Sequence, residues 1–453
     1  MSGVIKFLGD AFAFELLLAF VAIYPLLTAS VWSVTSLIYA VRRERRGDDS
    51  FYAIGNEDLP KITLLVPAYR EAASLDGTLD ALHDLDYPAY EVLVIDDGSP
   101  DATADIARRH VRRDTRFRLL RKEVNEGKAM AMNDAIPLAT GEIVVVVDAD
   151  ARLHRPALRY IAAHFVRLPR VAAVTGNPRV ANGTTLLAAL QTLEFTSIIS
   201  VLRRAQVVWG RMLTVSGVIS AFRKSALTDI GMFDPTMVTE DIDVTWRLQR
   251  RFYDVRYEPR ALVDMTVPTT LGGLWRQRRR WATGLTQVLR YHRGLLGSWR
   301  SRRQWPILIE AVLSIAWAHA LILLLTFWAL SLIAGVPPVG ANPFPNGWGM
   351  LIATACLVQL GVGVSLDRRY DTSVTRSLLI APLYPLLYWA LMAVVTVRST
   401  IPALFARRTN AVARWHTPRE HDTTAATAAD ALPDTRPATT RLAADSAAVK
   451  QSD

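Results

Sequence analysis

The chain has 453 residues, a formal charge of +10 and one cysteine, Cys356. That length holds one α/β domain of ordinary size plus further structure, and a single cysteine excludes internal disulfides and a cysteine metal cluster. The hydrophobic share of 51% is gathered in blocks: residues 14–41 carry no charge except Glu15, residues 307–334 none except Glu310, and residues 348–366 and 377–397 none at all. Each block is long enough to cross a hydrocarbon core of about 30 Å as a helix, so the sequence reads as an integral membrane protein.

The first block is too long for a signal-peptide core and lacks a small-residue cleavage site, so it is expected to be retained. Arg42-Arg43-Glu44-Arg45-Arg46 follows it, and Arg302-Arg303 precedes the second block. The positive-inside rule then places residues 42–306 in the cytoplasm. The stretch 335–347, with Pro337, Pro338, Pro343 and Pro345 and no charge, fits the outside, and Asp367-Arg368-Arg369 returns inside. A full crossing by residues 377–397 puts the basic tail outside, against the rule; Pro382 and Pro385 also allow a re-entrant segment, and the crossing stays open. Cys356 falls within a span, where a packing role is expected. The arginine surplus lies largely at membrane flanks, which suits anionic lipid and a phosphorylated substrate, whereas no motif points to nucleic acid.

Between the first two spans the pattern is α/β. Residues 61–67 (KITLLVP) form a strand ending in Ala68-Tyr69-Arg70-Glu71, and Ser74 opens a helix through His83. Residues 90–95 (YEVLVI) form a second strand running into Asp96-Asp97-Gly98-Ser99 and a helix over 101–112. Strand, acidic turn and helix make a βα unit, although Asp96 and Asp97 also suit simple helix capping. Residues 118–120 suit an edge strand, followed by Asn125-Glu126-Gly127-Lys128, where Lys128 can reach a phosphate or be solvated, and a helix containing Asn133.

Residues 143–147 (IVVVV) are five β-branched residues without polar alternation, as suits a central strand buried on both faces. The strand ends in Asp148-Ala149-Asp150, at the carboxyl edge where open α/β sheets place their ligands. Two carboxylates that close repel one another unless a cation sits between them; a solvated turn is the plainer reading. Short strands are expected at 171–175, before Gly176-Asn177-Pro178-Arg179, and at 214–222, broken by Ser216-Gly217; residues 186–204 have helical apolar spacing. Thr239-Glu240-Asp241 opens a helix over 242–250, a pattern that helix electrostatics alone also favours. Residues 271–295 mix Arg276, Arg278, Arg279, Arg280, Arg290 and Arg293 with Trp275, Trp281, Leu285 and Leu289, which suits a helix lying in the membrane interface. Residues 417–453, rich in Ala, Thr and Asp, are expected to be disordered.

Four motifs therefore stand in order: Asp96-Asp97-Gly98, Asp148-Ala149-Asp150, Thr239-Glu240-Asp241 and Gln277-Arg278-Arg279-Arg280-Trp281. Together they resemble the processive membrane glycosyltransferases of family 2 with a GT-A fold, among them cellulose, chitin and hyaluronan synthases. The closer likeness is to bacterial poly-β-1,6-N-acetylglucosamine synthases. It rests on Val174-Thr-Gly-Asn-Pro-Arg179, Thr214-Val-Ser-Gly-Val218, Thr239-Glu-Asp-Ile-Asp243 and Tyr257-Glu-Pro-Arg-Ala261, on Tyr24-Pro25 with Trp32, and on Arg414-Trp415 with Pro418. Two departures stand out: one amino-terminal span instead of two, and Ala-Thr-Gly-Leu-Thr at 282–286 instead of Ala-Gln-Gly-Gly-Ala.

The resemblance implies a cytoplasmic GT-A domain with a mostly parallel, nucleotide-binding sheet, joined to α-helical membrane segments. The implied division is 1–50 for the first span and its basic flank, 51–267 for the catalytic domain, 268–305 for the interfacial segment, 306–410 for the remaining membrane region and 411–453 for the tail. It implies inverting, processive transfer from UDP-N-acetylglucosamine, in a bacterial inner membrane, to a polymer that the spans export. Alternatives are a chitin- or hyaluronan-type synthase, a glycolipid transferase making one addition, or a membrane scaffold with a degenerate sugar-binding domain. By the same likeness Asp148 and Asp150 hold Mg2+ or Mn2+, with Asp148 also meeting ribose or diphosphate. Asp96, Asp97, Tyr69, Glu71 and Lys128 border the donor, and Asp241, beside Glu240, is the base. Arg280 faces the departing diphosphate, Trp281 stacks on the acceptor, and Gln277 completes the set. A small membrane accessory subunit is implied as a partner alongside the UDP-sugar, the polysaccharide and the bilayer.

Overall fold

The structure, a computed structural model, describes residues 12–44, 49–335, 347–406 and 412–413. The expectations for Arg45 and Arg46, the prolines of 337–345, the Arg414-Trp415 pair with Pro418 and the tail fall outside the described residues.

The long apolar run at the start forms α1 (Phe12–Tyr39). The α/β domain then proceeds through β1 (Ile62–Ala68), α2 (Leu75–His83), β2 (Tyr90–Asp96), α3 (Thr103–Arg113) and β3 (Phe117–Arg121). It continues with α4 (Lys128–Ala135), β4 (Ile143–Val147), the short β5 (Arg152–Leu153), α5 (Ala157–Arg167) and β6 (Val171–Val180). Next come α6 (Leu186–Glu194), a π turn at Phe195–Ile199, α7 (Ser200–Trp209), β7 (Ile219–Arg223), α8 (Lys224–Asp229), α9 (Glu240–Arg250) and β8 (Asp254–Met265).

All residues of β1, β2 and β4 are buried, as uninterrupted apolar runs require. Their side chains alternate between two cores: Leu64, Val66, Val92, Val94, Val145 and Val147 face one layer of helices, and Leu65, Leu93, Ile95, Val144 and Val146 the other. The sheet order is β3-β2-β1-β4-β7-β6-β8-β5. The first four strands are parallel; β4–β7, β7–β6 and β8–β5 are antiparallel, and β6–β8 is parallel again, so the sheet is mixed. The chain winds outward from β1 to β3 and then returns to the other side of β1 as β4. The crevice beyond the carboxyl ends of β1 and β4 is the point at which strand order reverses, where such sheets bind ligands.

Several boundaries differ from the sequence reading. The strand expected over 214–222 begins only at Ile219, because Val215 N–H donates to Thr245 Oγ1 (3.0 Å) and Ser216 N–H to Thr175 Oγ1 (2.8 Å) in place of a ladder. The strand begun at Val171 runs on to Val180, pairing with β8 across two register shifts. Neither β8 nor α5 was anticipated.

The membrane-facing part adds α10 (Leu271–Tyr291), α11 (Trp305–Ile333), α12 (Gly347–Asp367) and α13 (Trp389–Phe405). Among the described residues, five helical stretches are long and apolar enough to span a membrane: Phe14–Glu44, Leu186–Trp209, Trp299–Ile333, Gly349–Asp367 and Tyr384–Phe405. The chain is therefore a membrane protein. Leu186–Trp209, read from sequence as a domain helix, has 67% of its apolar window buried by protein, against 17–33% for the other four.

Membrane helices and the α/β domain are joined by a buried charge cluster. Arg204, fully buried, binds Glu44 through Nε (2.6 Å) and Asp367 through Nη1 (2.8 Å), and Arg179 holds the other Asp367 oxygen at 2.8 Å. The segment expected over 377–397 is a 3-10 turn (Thr372–Ile380) and a π turn (Tyr384–Tyr388) before α13. α13 lies along α10, with Tyr388 OH donating to Glu194 (2.8 Å) at one end and the Ala406 carbonyl accepting from Arg290 at the other. Beyond it Ala413 N–H donates to the Pro235 carbonyl at 2.8 Å.

Candidate active site

The parallel register sets Ala68 beside Asp96 and Leu65 beside Val146, so the loops after β1, β2 and β4 leave the sheet along one edge. Asp97 N–H donates to the Ala68 carbonyl (3.0 Å), joining the first two loops. At the third, Asp148 N–H donates to the Val218 carbonyl (3.2 Å), which brings the 214–218 loop over the end of β4.

Lys128 is the hub. Its Nζ donates to Asp148 Oδ1 (2.5 Å) and to the Gly217 carbonyl (3.1 Å), and lies 3.8 Å from Glu240 Oε1. Burial alone would depress the lysine pKa, but the carboxylates of Asp148, Glu240 and Asp241 outweigh it and hold the pKa above its ordinary value. A side-chain carbon placed on Gly217 would lie 3.5 Å from Asp241 Oδ2 and 3.9 Å from Lys128 Nζ, so backbone, base candidate and lysine share one small space. The ammonium is therefore committed to the acidic cluster rather than solvated.

Asp241 sits in the first turn of α9 and accepts from Ile242 N–H at 2.9 Å. Desolvation and the neighbouring Glu240 push its pKa up to about 7, against the opposing pull of Lys128, the Ile242 N–H and Arg280. A helix amino terminus by itself favours an ionised carboxylate; here burial and the like charge outweigh it. The opening threonine does not cap its helix through the side chain. Gly284 of α10 explains this: a carbon added there would come within 2.3 Å of the Thr239 side chain, so the two helices touch backbone to side chain.

That contact carries the Gln277–Trp281 motif past α9. Arg280 is exposed, and its positive field is felt at Asp241. Gln277 Oε1 is buried without a hydrogen bond among the described residues, an acceptor left open. Trp281 is half-buried, with the Arg278 guanidinium 4.1 Å from its ring centre and Phe195 edge-on at 6.5 Å. Arg278, buried beneath, donates to Glu194 and to Tyr388 OH (3.1 Å). No sequence motif marks Glu194 or Tyr388; their one signal is a carboxylate and a phenol inside apolar segments.

On the β2 side the two aspartates divide. Asp97 accepts from the backbone N–H groups of Glu126 (3.1 Å) and Gly127 (2.8 Å), which shapes the loop that presents Lys128; its burial raises its pKa despite them. Asp96 is fully buried, and Oδ1 accepts from Ser99 N–H (3.0 Å). Its Oδ2 makes no hydrogen bond among the described residues, with Arg121 Nε at 3.4 Å. Gly98 between the loops has φ +73°, and a side-chain carbon there would meet the Val124 backbone at 2.8 Å, so only glycine fits. Tyr69 is half-buried under the Arg70 guanidinium, 5.6 Å from its ring centre. Glu71 is buried, and its Oε2 accepts from Ser74 Oγ (2.7 Å), so its carboxylate fixes the loop.

Asp148 and Asp150 leave one turn as half-buried carboxylates, with Thr266 Oγ1 donating to Asp150 at 3.5 Å. They suit a hard divalent cation, which takes few protein oxygens and several phosphate oxygens. The nearness of Lys128 to Asp148 shows that the turn already draws positive charge.

The model described as "Glycosyltransferase like family 2" matches residues 60–284. The poly-beta-1,6-N-acetyl-D-glucosamine synthase of Staphylococcus epidermidis is 33% identical over 406 residues, covering 88% of this chain and 97% of that protein. The chain belongs to glycosyltransferase family 2. The Staphylococcus aureus (strain COL) synthase of the same name is 33% identical over 407 residues, 89% of this chain and 98% of its own. Among solved structures, this family-2 glycosyltransferase is similar to the mannosyltransferase PcManGT from Pyrobaculum calidifontis in complex with GDP-Man and Mn2+. That likeness has a TM-score of 0.54 and 25% identity, and covers 81% of this chain and 99% of the other.

Proposed function

We propose that this glycosyltransferase transfers N-acetylglucosamine from UDP-N-acetylglucosamine to a growing β-1,6-linked polysaccharide, with inversion, and passes the polymer outward between its membrane helices. The observation that carries the reading is the convergence of Asp148, Glu240 and Asp241 on Lys128 at the switch point of the sheet, in a chain whose relatives bear the synthase name.

The nucleoside lies along the edge between Tyr69 and the open Asp96 oxygen, and its diphosphate approaches Asp148 and Lys128. Asp148 and Asp150 are the residues that would hold Mg2+ or Mn2+, and a bound ion supplies charge neutralisation to the departing diphosphate. Arg280 adds fixed positive charge on the other side. The 6-hydroxyl of the acceptor sugar, stacked on Trp281, attacks the anomeric carbon. Its proton passes to the Asp241 carboxylate as the carbon–oxygen bond to the diphosphate breaks and UDP leaves. A pKa of about 7 suits a base at neutral pH. With one base and no covalent intermediate, the α-linked donor becomes a β-linked product. The catalytic domain is cytoplasmic in a bacterial inner membrane, and a small membrane subunit is an additional partner.

The test is turnover of radiolabelled UDP-N-acetylglucosamine by the protein in vesicles, with linkage analysis of the product. A long β-1,6-linked polymer supports the reading; a single addition to lipid, a 1,4-linked chain or no transfer overturns it.

A further inference from the structure

We propose that His83, His110 and Asp80 form a second metal site, for a divalent transition ion of the zinc class, which ties α2 to α3 on the edge of the sheet opposite the active site. One ligand atom from each lies within 4.8 Å of the others. The cluster adjoins the amino end of β2, where Tyr90 OH donates to the Leu82 (2.8 Å) and His83 (3.2 Å) carbonyls. Asp96 closes that strand at its other end, about 20 Å away at roughly 3.3 Å per residue. This site is thus separate from Asp148 and Asp150.

The argument starts from the two rings. His83 Nε2 and His110 Nδ1 face each other at 2.9 Å. Their outer nitrogens each meet a carboxylate, His83 Nδ1 at Asp114 (3.0 Å) and His110 Nε2 at Asp76 (3.1 Å). An ionised carboxylate only accepts, so both outer nitrogens carry protons, and two neutral rings then aim lone pairs at each other. Facing lone pairs at that distance repel, and a cation between them removes the conflict. A carboxylate behind each ligating imidazole is also the arrangement that fixes tautomer and orientation in protein metal centres.

A shared proton would relieve the same repulsion, but it has no use for Asp80. That carboxylate, one helical turn before His83, converges on the same space. Its partner is Arg113 at 3.1 Å in a pair more than half exposed, a contact weak enough to give up. Two imidazoles and one carboxylate form a three-ligand set that leaves a fourth position for water, as zinc accepts. The pocket is firm: His110 is 4% exposed, and the His83 ring stacks on Phe117 with centres 4.1 Å apart.

The experiment uses the full chain in nanodiscs, stripped of metal and then held in excess Mg2+ to fill the Asp148–Asp150 turn. Zn2+ is titrated by calorimetry and Co2+ by visible absorption. One saturable equivalent is expected, with the intense visible bands of four-coordinate cobalt, and a higher melting temperature with Zn2+. Asp150→Asn should leave that equivalent in place, and His83→Gln or His110→Gln should remove it. Asp76→Asn and Asp114→Asn should weaken it by about 10- to 100-fold. Should the His110 variant not fold, Asp80→Asn on the exposed rim must still lower affinity. Absence of saturable zinc binding, or binding unchanged in His83→Gln and Asp80→Asn, overturns the proposal and leaves a shared proton between the rings.

Discussion

Two of the charge clusters among the described residues are built to opposite rules. At the junction with the membrane helices, Arg179 and Arg204 meet Glu44 and Asp367 with every member buried. Arg369 also reaches Glu44 at 3.3 Å, so three guanidinium groups face two carboxylates, and Ser200 and Tyr370 donate to Asp367 and Glu44 at 3.1 and 3.2 Å. At the carboxyl edge of the sheet, one ammonium serves three carboxylates, Asp148, Glu240 and Asp241, with Asp150 beside them. In the first cluster both carboxylates are matched by guanidinium groups; the second carries an excess of negative charge that a cation and a donor can answer. A closed ion-pair network holds parts together, whereas an open one binds and reacts.

Chelation of divalent metal should act on the open cluster and leave the closed one intact. Transfer should be abolished, and Mg2+ or Mn2+ should restore it. Full activity in excess chelator would remove the metal from Asp148 and Asp150.

Asp241→Asn should lower turnover by about 10²- to 10⁴-fold, the usual contribution of a positioned base, while UDP-sugar affinity and melting temperature persist. More than a tenth of the original turnover would rule Asp241 out as the base. In the wild-type protein the rate should rise with pH, pass half its maximum near pH 7 and level off above it, because burial and Glu240 push this carboxyl up to about 7. Stability moves the other way. Because the folded pKa lies above the ordinary 3.8, the protonated group's contribution is full below that value and is lost as pH climbs through about 7.

Asp367→Asn tests the closed cluster. Breaking a buried pair costs about 3–5 kcal/mol, because its partners stay charged and buried. The melting temperature should fall sharply, while turnover per folded molecule stays near normal; unchanged stability would show that the network is not what joins the two parts.

Gly284→Ala should have the smallest effect. An added methyl meets Thr239 within 2.3 Å, and overpacking costs about 1–3 kcal/mol. The strain falls at the start of α9, so turnover should drop more than donor affinity. A fully active, equally stable variant would mean that the two helices can part without consequence.

The open cluster was largely legible in the sequence, because its members occupy strand ends and a helix start within short motifs. β4 was legible for the same reason: an unbroken β-branched run has one comfortable place in a sheet. The closed cluster was not. Arg204 and Glu44 are 160 positions apart, and Tyr370 and Glu44 are separated by 326, so only the folded chain reveals them. β8 escaped although Asp254, Arg256, Glu258 and Arg260 alternate with Val255, Tyr257 and Ala261 as in a half-buried strand, because Pro259 interrupts the pattern; its backbone is taken up by β6 and β5. The proton affinity of Asp241 was not legible, for a different reason. The field of a helix end can be read locally, but the desolvation that opposes it comes from distant elements.

α13 has a consequence for how the chain threads the bilayer. Its beginning is pinned to Glu194 and its end to Arg290, and Ala413 beyond it touches Pro235. Both ends are therefore held by α6 and α10, and such a helix is expected to lie along these elements rather than cross. The expected crossings are then α1, α11 and α12, which returns the chain after α12 to the side of the α/β domain. A protease confined to the far face of sealed vesicles should cut the proline-rich 335–347 stretch and spare everything after residue 405.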